Sequence, residues 1–155
     1  MLSLQQISDR LEIQQLLVDY CNAIDRRDYD ALDQVFTPDA YIDYRKLGGV
    51  DGRYPEIKQW LKPALGHFPH YFHFVGNMDI RIEGDRATAR TLCFNPMDTP
   101  LPAGGTQVMF LGLYYVDKLE RTASGWRITE RVEEASIKYN VPAHMNIPDL
   151  PDTAR

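Results

Sequence analysis

The chain has 155 residues, which is enough for one domain with its own hydrophobic core. Its formal net charge is −5 and its basic residues are scattered, so it lacks the basic stripe typical of nucleic-acid-binding proteins. It has no apolar run of membrane-spanning length, and its N-terminus lacks the pattern of a secretory signal. The two cysteines, Cys21 and Cys93, are far apart in sequence and are expected to be buried and reduced. These features predict a cytoplasmic protein that binds neither nucleic acid nor membrane.

The first predicted element is a helix of about six turns that begins with a capping box at Ser3 and Gln6. Apolar residues at steps of three and four predict one buried stripe: Ile13, Leu17, Tyr20, Cys21 and Ile24. The solvent face is predicted to carry Asp9, Arg10, Glu12, Gln14 and Gln15. Asp25 follows at the margin of the stripe near the helix C-terminus, where the helix dipole disfavours a carboxylate. It therefore points to water, pairs with a cation or belongs to a site.

Two shorter helices and a strand are predicted next. Asp28 is placed to cap a helix over residues 29–35, and residues 40–45 alternate as a strand. Residues 56–65 fit a third helix, because Pro55 suits its first turn. Pro63 is expected to kink or shorten that helix.

Residues 70–80 are rich in aromatic and β-branched side chains and predict a long strand. Alternation puts one set of side chains on one face, Phe72, Phe74, Met78 and Ile80, and the other set on the opposite face, His73, Val75 and Asn77. An imidazole among aromatic residues suggests the wall of an apolar pocket. The alternative is a buried histidine that hydrogen-bonds to a neighbouring backbone carbonyl.

Three long strands complete the predicted fold, over residues 86–94, 107–121 and 126–139. Residues 95–106 contain three prolines and two glycines and are predicted to form a long loop. The proline-containing tail after Asn140 is predicted to be an extended arm that lies across a pocket or a neighbour. Helices followed by long antiparallel strands indicate an α+β fold, in which three helices close a pocket formed by a curved antiparallel sheet.

Several strings in this order resemble the SnoaL-like group of the nuclear transport factor 2-like superfamily, which includes scytalone dehydratase, lindane dehydrochlorinase and polyketide cyclases. The strings are IQQLLVDYCNAIDRRDYD at 13–30, FTPDA at 36–40, HFVGN at 73–77, GLYY at 112–115 and GWRI at 125–128. The resemblance runs from about Leu4 to about Asn140. It implies a cone-shaped sheet, a single domain over residues 1–140 and an arm over residues 141–155.

The resemblance also implies a catalytic pair, in which Asp25 orients His73 and leaves one imidazole nitrogen as a general base. An imidazole suits this role because it changes protonation near neutral pH. Scytalone dehydratase has a second pocket histidine on the following strand, where this chain offers Thr88, Arg90 and Leu92. The side chains expected to contact substrate are Tyr20, Tyr41, Tyr44, Asn77, Arg90 and Arg131.

The predicted function is that of a cofactor-free lyase or isomerase acting on a small apolar cyclic substrate. The alternatives are a pocket protein without catalysis, which binds a hydrophobic metabolite or serves in assembly, and a ketosteroid-isomerase-like enzyme with an aspartate base. No metal site is expected, because His70 and His73 would point to opposite faces of a strand. The resemblance further implies a homodimer or homotrimer.

Overall fold

The computed structural model of the protein describes residues 1–150 and contains a six-stranded mixed sheet with helices packed against its concave face. The helices are α1 (Leu4–Asp25), α2 (Tyr54–Gly66) and two 3₁₀ helices, Tyr29–Gln34 and Arg45–Leu47. The strands are β1 (Phe36–Asp43), β2 (Asp51–Arg53), β3 (Phe74–Glu83), β4 (Arg86–Pro100), β5 (Thr106–Thr122) and β6 (Gly125–Tyr139). The predicted α+β class is confirmed.

The strands lie in the order β2-β1-β6-β5-β4-β3. All neighbours are antiparallel except β1 and β6, which pair in parallel. A parallel pair needs a long connection, and here helix α2 and four strands separate β1 from β6 along the chain. The long hairpins β4–β5 and β5–β6 form the centre of the sheet.

Helix α1 begins as the sequence predicts, with the Ser3 Oγ accepting from the Gln6 backbone and the Gln6 side chain accepting from Ser3 N. The apolar stripe lies against the sheet, but the predicted solvent face contains one error. Asp9 is buried, because its carboxylate accepts hydrogen bonds from Arg121 on β5 and Trp126 on β6. Asp9 thus joins the N-terminal half of α1 to the far end of the sheet.

Strand β3 begins at Phe74, later than predicted, and its alternation reverses at a bulge. Asn77 has a left-handed φ of 47°, and the register with β4 shifts between Gly76 and Asp79. As a result Phe74 is exposed on the outer face of the sheet whereas Ile80 is buried. The prediction that these two residues share one face is wrong.

The predicted loop over residues 95–106 is also wrong, since β4 continues to Pro100 and leaves only residues 101–105 as a turn. The prolines are tolerated because of the direction in which their nitrogens point. The Asp98 N–H donates to His70 O, away from β5. Pro96 and Pro100 are each two residues from Asp98, so their nitrogens also point away from β5 and no hydrogen bond to β5 is lost.

The C-terminal arm returns along the mouth of the curved sheet. The Lys138 ammonium donates to the carbonyls of Ile147 and Pro148 and to the carboxylate of Asp149. Residues 151–155 of the predicted arm lie outside the described part of the chain. None of the helices in residues 1–150 is long and apolar enough to cross a membrane.

Candidate active site

A cavity of about 470 Å³ lies between the concave face of the sheet, the end of α1, helix α2 and the C-terminal arm. This volume is in the range of small-molecule sites. Its walls are mainly apolar and include Ile24, Leu61, Met97, Met109, Leu111 and Leu113. Met145 and Ile147 of the arm also line the cavity. The polar side chains that interrupt this lining determine what chemistry the cavity can support.

Asp25 and His73 form the first polar group. The Asp25 Oδ1 accepts from the ring Nδ1 of His73 at 2.7 Å, and Oδ2 accepts from the His73 backbone N–H at 3.0 Å. Asp25 is the last residue of α1, and His73 immediately precedes β3. The His73 side chain is 8% exposed, and its ring lies edge-on to the rings of Tyr20 and Tyr71. The orientation of the imidazole is therefore fixed by the carboxylate and by its aromatic neighbours.

The short segment before β3 is anchored residue by residue. The Tyr71 hydroxyl donates to Ile24 O at 3.0 Å, and the Asn95 amide donates to Phe72 O at 2.8 Å. Together with the bonds from Asp25 to His73, these contacts attach three consecutive residues to α1 and β4. Such support positions a reactive group more exactly than a free loop would.

The pairing decides which imidazole nitrogen is available. A carboxylate can only accept hydrogen bonds, so Nδ1 carries the shared proton and neutral His73 has its lone pair on Nε2. Within residues 1–150 no group hydrogen-bonds to Nε2. Since His73 lines the cavity, a ligand bound there meets a ring nitrogen that can accept a proton.

Tyr20 and Tyr44 form the second polar group, with their hydroxyl oxygens 2.9 Å apart. Both side chains are buried and line the cavity. Burial raises the pKa of Tyr44 to about 12 and raises the pKa of Tyr20 well above its usual value of 10.0. Both phenols therefore stay neutral near pH 7. One of the two hydroxyls donates its proton to the other oxygen. The proton of the second hydroxyl is therefore free to bond to a ligand oxygen.

Arg131 lies beneath these residues and is fully buried. Its guanidinium carbon is 4.1 Å from the ring centroids of both Tyr20 and Tyr115, and its Nε and Nη2 donate to Asp117 at 2.7 and 2.8 Å. It is separate from the residues that line the cavity. The structure therefore places Arg131 as a support for Tyr20, in contrast to the predicted contact with substrate.

Three other predicted substrate contacts lie away from the cavity. The Tyr41 hydroxyl donates to Asp51 at 2.7 Å near the β1–β2 hairpin. Asn77 is exposed at the β3 bulge. Arg90 lies on the outer face of the sheet, where it pairs with Glu134 and stacks on Tyr114. For Arg90 the predicted face of β4 is wrong, because the alternate residues Ala89, Thr91 and Cys93 point inward.

Glu133 is a cavity residue that the sequence does not predict. It lies on β6, is 9% exposed and lines the cavity, and its Oε2 has no hydrogen-bond partner within residues 1–150. Burial raises the pKa of its carboxyl well above the usual 4.5. Alternation along β6 could not reveal it, because a register shift between Ile128 and Glu130 moves the inward positions from even to odd numbers.

His67 and His144 also line the cavity but lie at its exposed rim. His70, part of the histidine series in the sequence, is outside the cavity and contacts Asp98 at 3.2 Å. Within residues 1–150 no cluster of three or more histidine, cysteine, aspartate or glutamate side chains is arranged to hold a metal ion.

Comparison with known proteins agrees with this architecture. The family model described as a SnoaL-like domain matches residues 5–132. The chain belongs to the SnoaL-like domain family. The resemblance inferred from the sequence is therefore confirmed.

An uncharacterized protein of Mycobacterium tuberculosis is 62% identical to this SnoaL-like protein over 133 residues, which are 86% of this chain and 89% of that protein. A scytalone dehydratase-like protein from Novosphingobium aromaticivorans has a TM-score of 0.78 at 14% identity, and the match covers 96% of each chain. A hexachlorocyclohexane dehydrochlorinase from Novosphingobium barchaimii has a TM-score of 0.74 at 16% identity, covering 94% of this chain and 99% of that one. At these identities the structural matches establish the fold of the SnoaL-like protein.

Proposed function

We propose that this SnoaL-like protein is a cofactor-free lyase or isomerase that acts on a small, apolar, cyclic substrate. The observation that carries the proposal is the Asp25–His73 pair, whose unpaired Nε2 belongs to a residue lining an apolar cavity. Two of its structural neighbours are named for dehydration and for dehydrochlorination, and both reactions remove a proton and a leaving group. The proposal extends that class of chemistry to this chain.

In the proposed reaction, Nε2 of His73 removes a proton from a substrate carbon. Asp25 keeps Nδ1 protonated before the step and stabilises the imidazolium that forms in it. The hydroxyl proton left over in the Tyr20–Tyr44 pair is placed to donate to a developing negative charge on a substrate oxygen. The apolar walls exclude water and strengthen both interactions.

The alternative with an aspartate base has less support. Asp25 is already bonded to His73 through both oxygens, and Asp43 forms two hydrogen bonds with the Arg45 guanidinium outside the cavity. Binding of a hydrophobic metabolite without catalysis fits the same apolar walls. It differs from the enzymatic proposal in giving His73 no chemical role.

We also propose that the protein forms a homodimer or homotrimer in the cytoplasm. A homodimer or homotrimer is supported by an exposed apolar patch on the outer face of the sheet, made of Phe74, Phe94, Ile137 and Tyr139. A cytoplasmic location is supported by the two buried free thiols, Cys21 and Cys93, which are typical of proteins in a reducing compartment.

The test is a screen of cyclic ketones, hydroxylated rings and halogenated rings for loss of water, halide or a proton. With any substrate that turns over, His73→Gln is expected to lower the rate about 10²- to 10⁴-fold, because glutamine keeps bulk and hydrogen bonding but cannot act as the base. His70→Gln is the matched control, since that histidine is 86% exposed. A His73→Gln protein with the wild-type rate would contradict the proposal.

A further inference from the structure

The buried carboxyl of Glu133 is a polar group that the proposed base and tyrosine pair do not use. It is one of the residues that line the cavity, and neither carboxyl oxygen has a hydrogen-bond partner within residues 1–150; Oε2 is itself buried, so a ligand would reach the carboxyl through Oε1. An unpaired buried carboxyl destabilises a fold, whether it is ionised or neutral. Such an orphaned group inside a ligand-sized cavity points to a partner that is itself a ligand.

The surroundings of Glu133 favour the neutral acid. Arg131 is the cation on the same strand; its Nε and Nη2 donate to Asp117, and its Nη1 has no hydrogen-bond partner within residues 1–150. The other titratable groups near Glu133 supply no positive charge: Tyr20 on α1, Asp43 on β1, Tyr44 after β1, Cys93 on β4 and Tyr115, its register partner on β5. Burial raises the pKa of Glu133 despite the nearby Arg131.

We propose that Glu133 presents a neutral carboxylic acid to the cavity and donates its proton or a hydrogen bond to an oxygen substituent of the bound ring. A neutral carboxyl has one O–H donor, and in this apolar cavity it needs an oxygen acceptor. The substrate class is therefore narrowed to cyclic ketones and cyclic alcohols. A ring without oxygen would leave Glu133 unsatisfied and is disfavoured.

This inference rests on the proposed function. In the corresponding elimination, Glu133 is the general acid and His73 is the general base. Nε2 of His73 takes a proton from the carbon beside a ring carbonyl, and the C–H electron pair becomes the new C=C bond. The C–O bond to a hydroxyl on the next carbon breaks, and the departing oxygen takes the Glu133 proton and leaves as water. The imidazolium then returns its proton through solvent to the Glu133 carboxylate.

The first test measures binding and needs no turnover. The probes are 1-tetralone and tetralin, two bicyclic molecules that differ by a ketone oxygen. Wild type and Glu133→Gln are expected to prefer tetralone about fivefold to tenfold, because acid and amide both donate a hydrogen bond. Glu133→Leu, which replaces the donor with an apolar side chain, is expected to reduce the preference severalfold, to the part that the Tyr20–Tyr44 hydroxyl supplies. A Glu133→Leu protein with the full wild-type preference for tetralone overturns the inference.

The second test detects the acid itself by infrared spectroscopy at neutral pH. A carboxylic-acid C=O band is expected in the wild type and in Glu134→Gln, the matched control at an exposed neighbour. It should be missing from Glu133→Gln, and its absence from the wild type overturns the inference. Both tests work without catalysis. A negative result for Glu133 would therefore leave the role of His73 in turnover intact, and a negative result for His73 would leave the role of Glu133 intact.

Discussion

Asp25 holds His73 at two atoms, with one carboxylate oxygen bonded to the ring Nδ1 and the other to the backbone N–H. This explains why a carboxylate ends helix α1, where the helix dipole is unfavourable and the last turn contains no basic residue. The two hydrogen bonds offset that cost and place the ring beside the cavity. Asp25 is therefore a positioning residue whose effect should be visible in the tautomer of His73.

Replacing Asp25 with Asn is expected to lower turnover by about 10²- to 10⁴-fold while the fold is retained. The amide oxygen can accept from only one of the two donors at full strength, and the amide nitrogen can donate to Nδ1. The proton then moves to Nε2 and the base is lost. Nitrogen NMR of the imidazole, compared between wild type and variant, measures the change in tautomer.

Asp19→Asn is the control for this change, since Asp19 is an exposed aspartate on the same helix. Its rate and its imidazole spectrum should match the wild type. An Asp25→Asn protein that keeps both the wild-type tautomer and the wild-type rate would refute the role of Asp25.

The Asp25–His73 pair could be predicted because both residues are unusual for their local structure. A histidine among aromatic residues and a carboxylate at a helix C-terminus each call for an explanation, and the family resemblance supplied one explanation for both. The apolar periodicity of α1 and the capping box at Ser3 were predicted correctly because the interactions that determine them lie within a few residues of each other.

The errors come from places where one extra residue changes which face of a strand is buried. The bulge at Asn77 and the register shift after Ile128 reverse the alternation of β3 and β6, so Asn77 lies outside the cavity and Glu133 inside. On β4 both faces carry apolar residues, because Leu92 and Phe94 belong to the outer surface. Alternation alone could not show that Arg90 points outward.

The ion pair between Asp9 and Arg121 predicts loss of stability in acid. Hydrogen bonds from Arg121 lower the pKa of Asp9 from 3.8 to about 2. Because the folded pKa is below the unfolded one, ionised Asp9 stabilises the fold fully above pH 3.8. This contribution disappears as the pH falls from 3.8 through about 2.

Asp9→Asn is expected to lower the free energy of unfolding at neutral pH by about 1.5–3 kcal/mol, since hydrogen bonds to a charged group are lost. The variant should also lose stability less steeply than wild type between pH 3.8 and about 2. Urea denaturation at several pH values measures both effects. Asp85→Asn is the control, because Asp85 contacts the same arginine but is 81% exposed. Equal acid sensitivity in wild type and Asp9→Asn would refute this account.

The exposed apolar patch predicts self-association through the outer face of the sheet. Phe94 pairs in register with Phe74 and stacks on Phe110, whose ring centroid is 5.7 Å away. Phe94→Asp is expected to convert the assembly to single chains in light scattering, because it places a charge in the centre of the patch. Thr88→Asp, at an exposed position on the same face of β4, should leave the mass unchanged. A wild-type protein that is monomeric at micromolar concentration would contradict the predicted self-association.

The C-terminal arm is predicted to control how long a ligand stays in the cavity. Met145 and Ile147 of the arm line the cavity, and the Lys138 ammonium holds the arm through two carbonyls and the Asp149 carboxylate at 2.9–3.3 Å. Lys138→Met keeps the apolar part of the side chain and deletes these bonds. Amides of residues 144–147 should then exchange hydrogen faster, and 1-tetralone should dissociate roughly threefold to tenfold faster. Lys118→Met, which breaks an exposed ion pair with Glu130, is the control and should change neither rate. Unchanged exchange and dissociation in Lys138→Met would show that the arm lines the cavity without retaining its ligand.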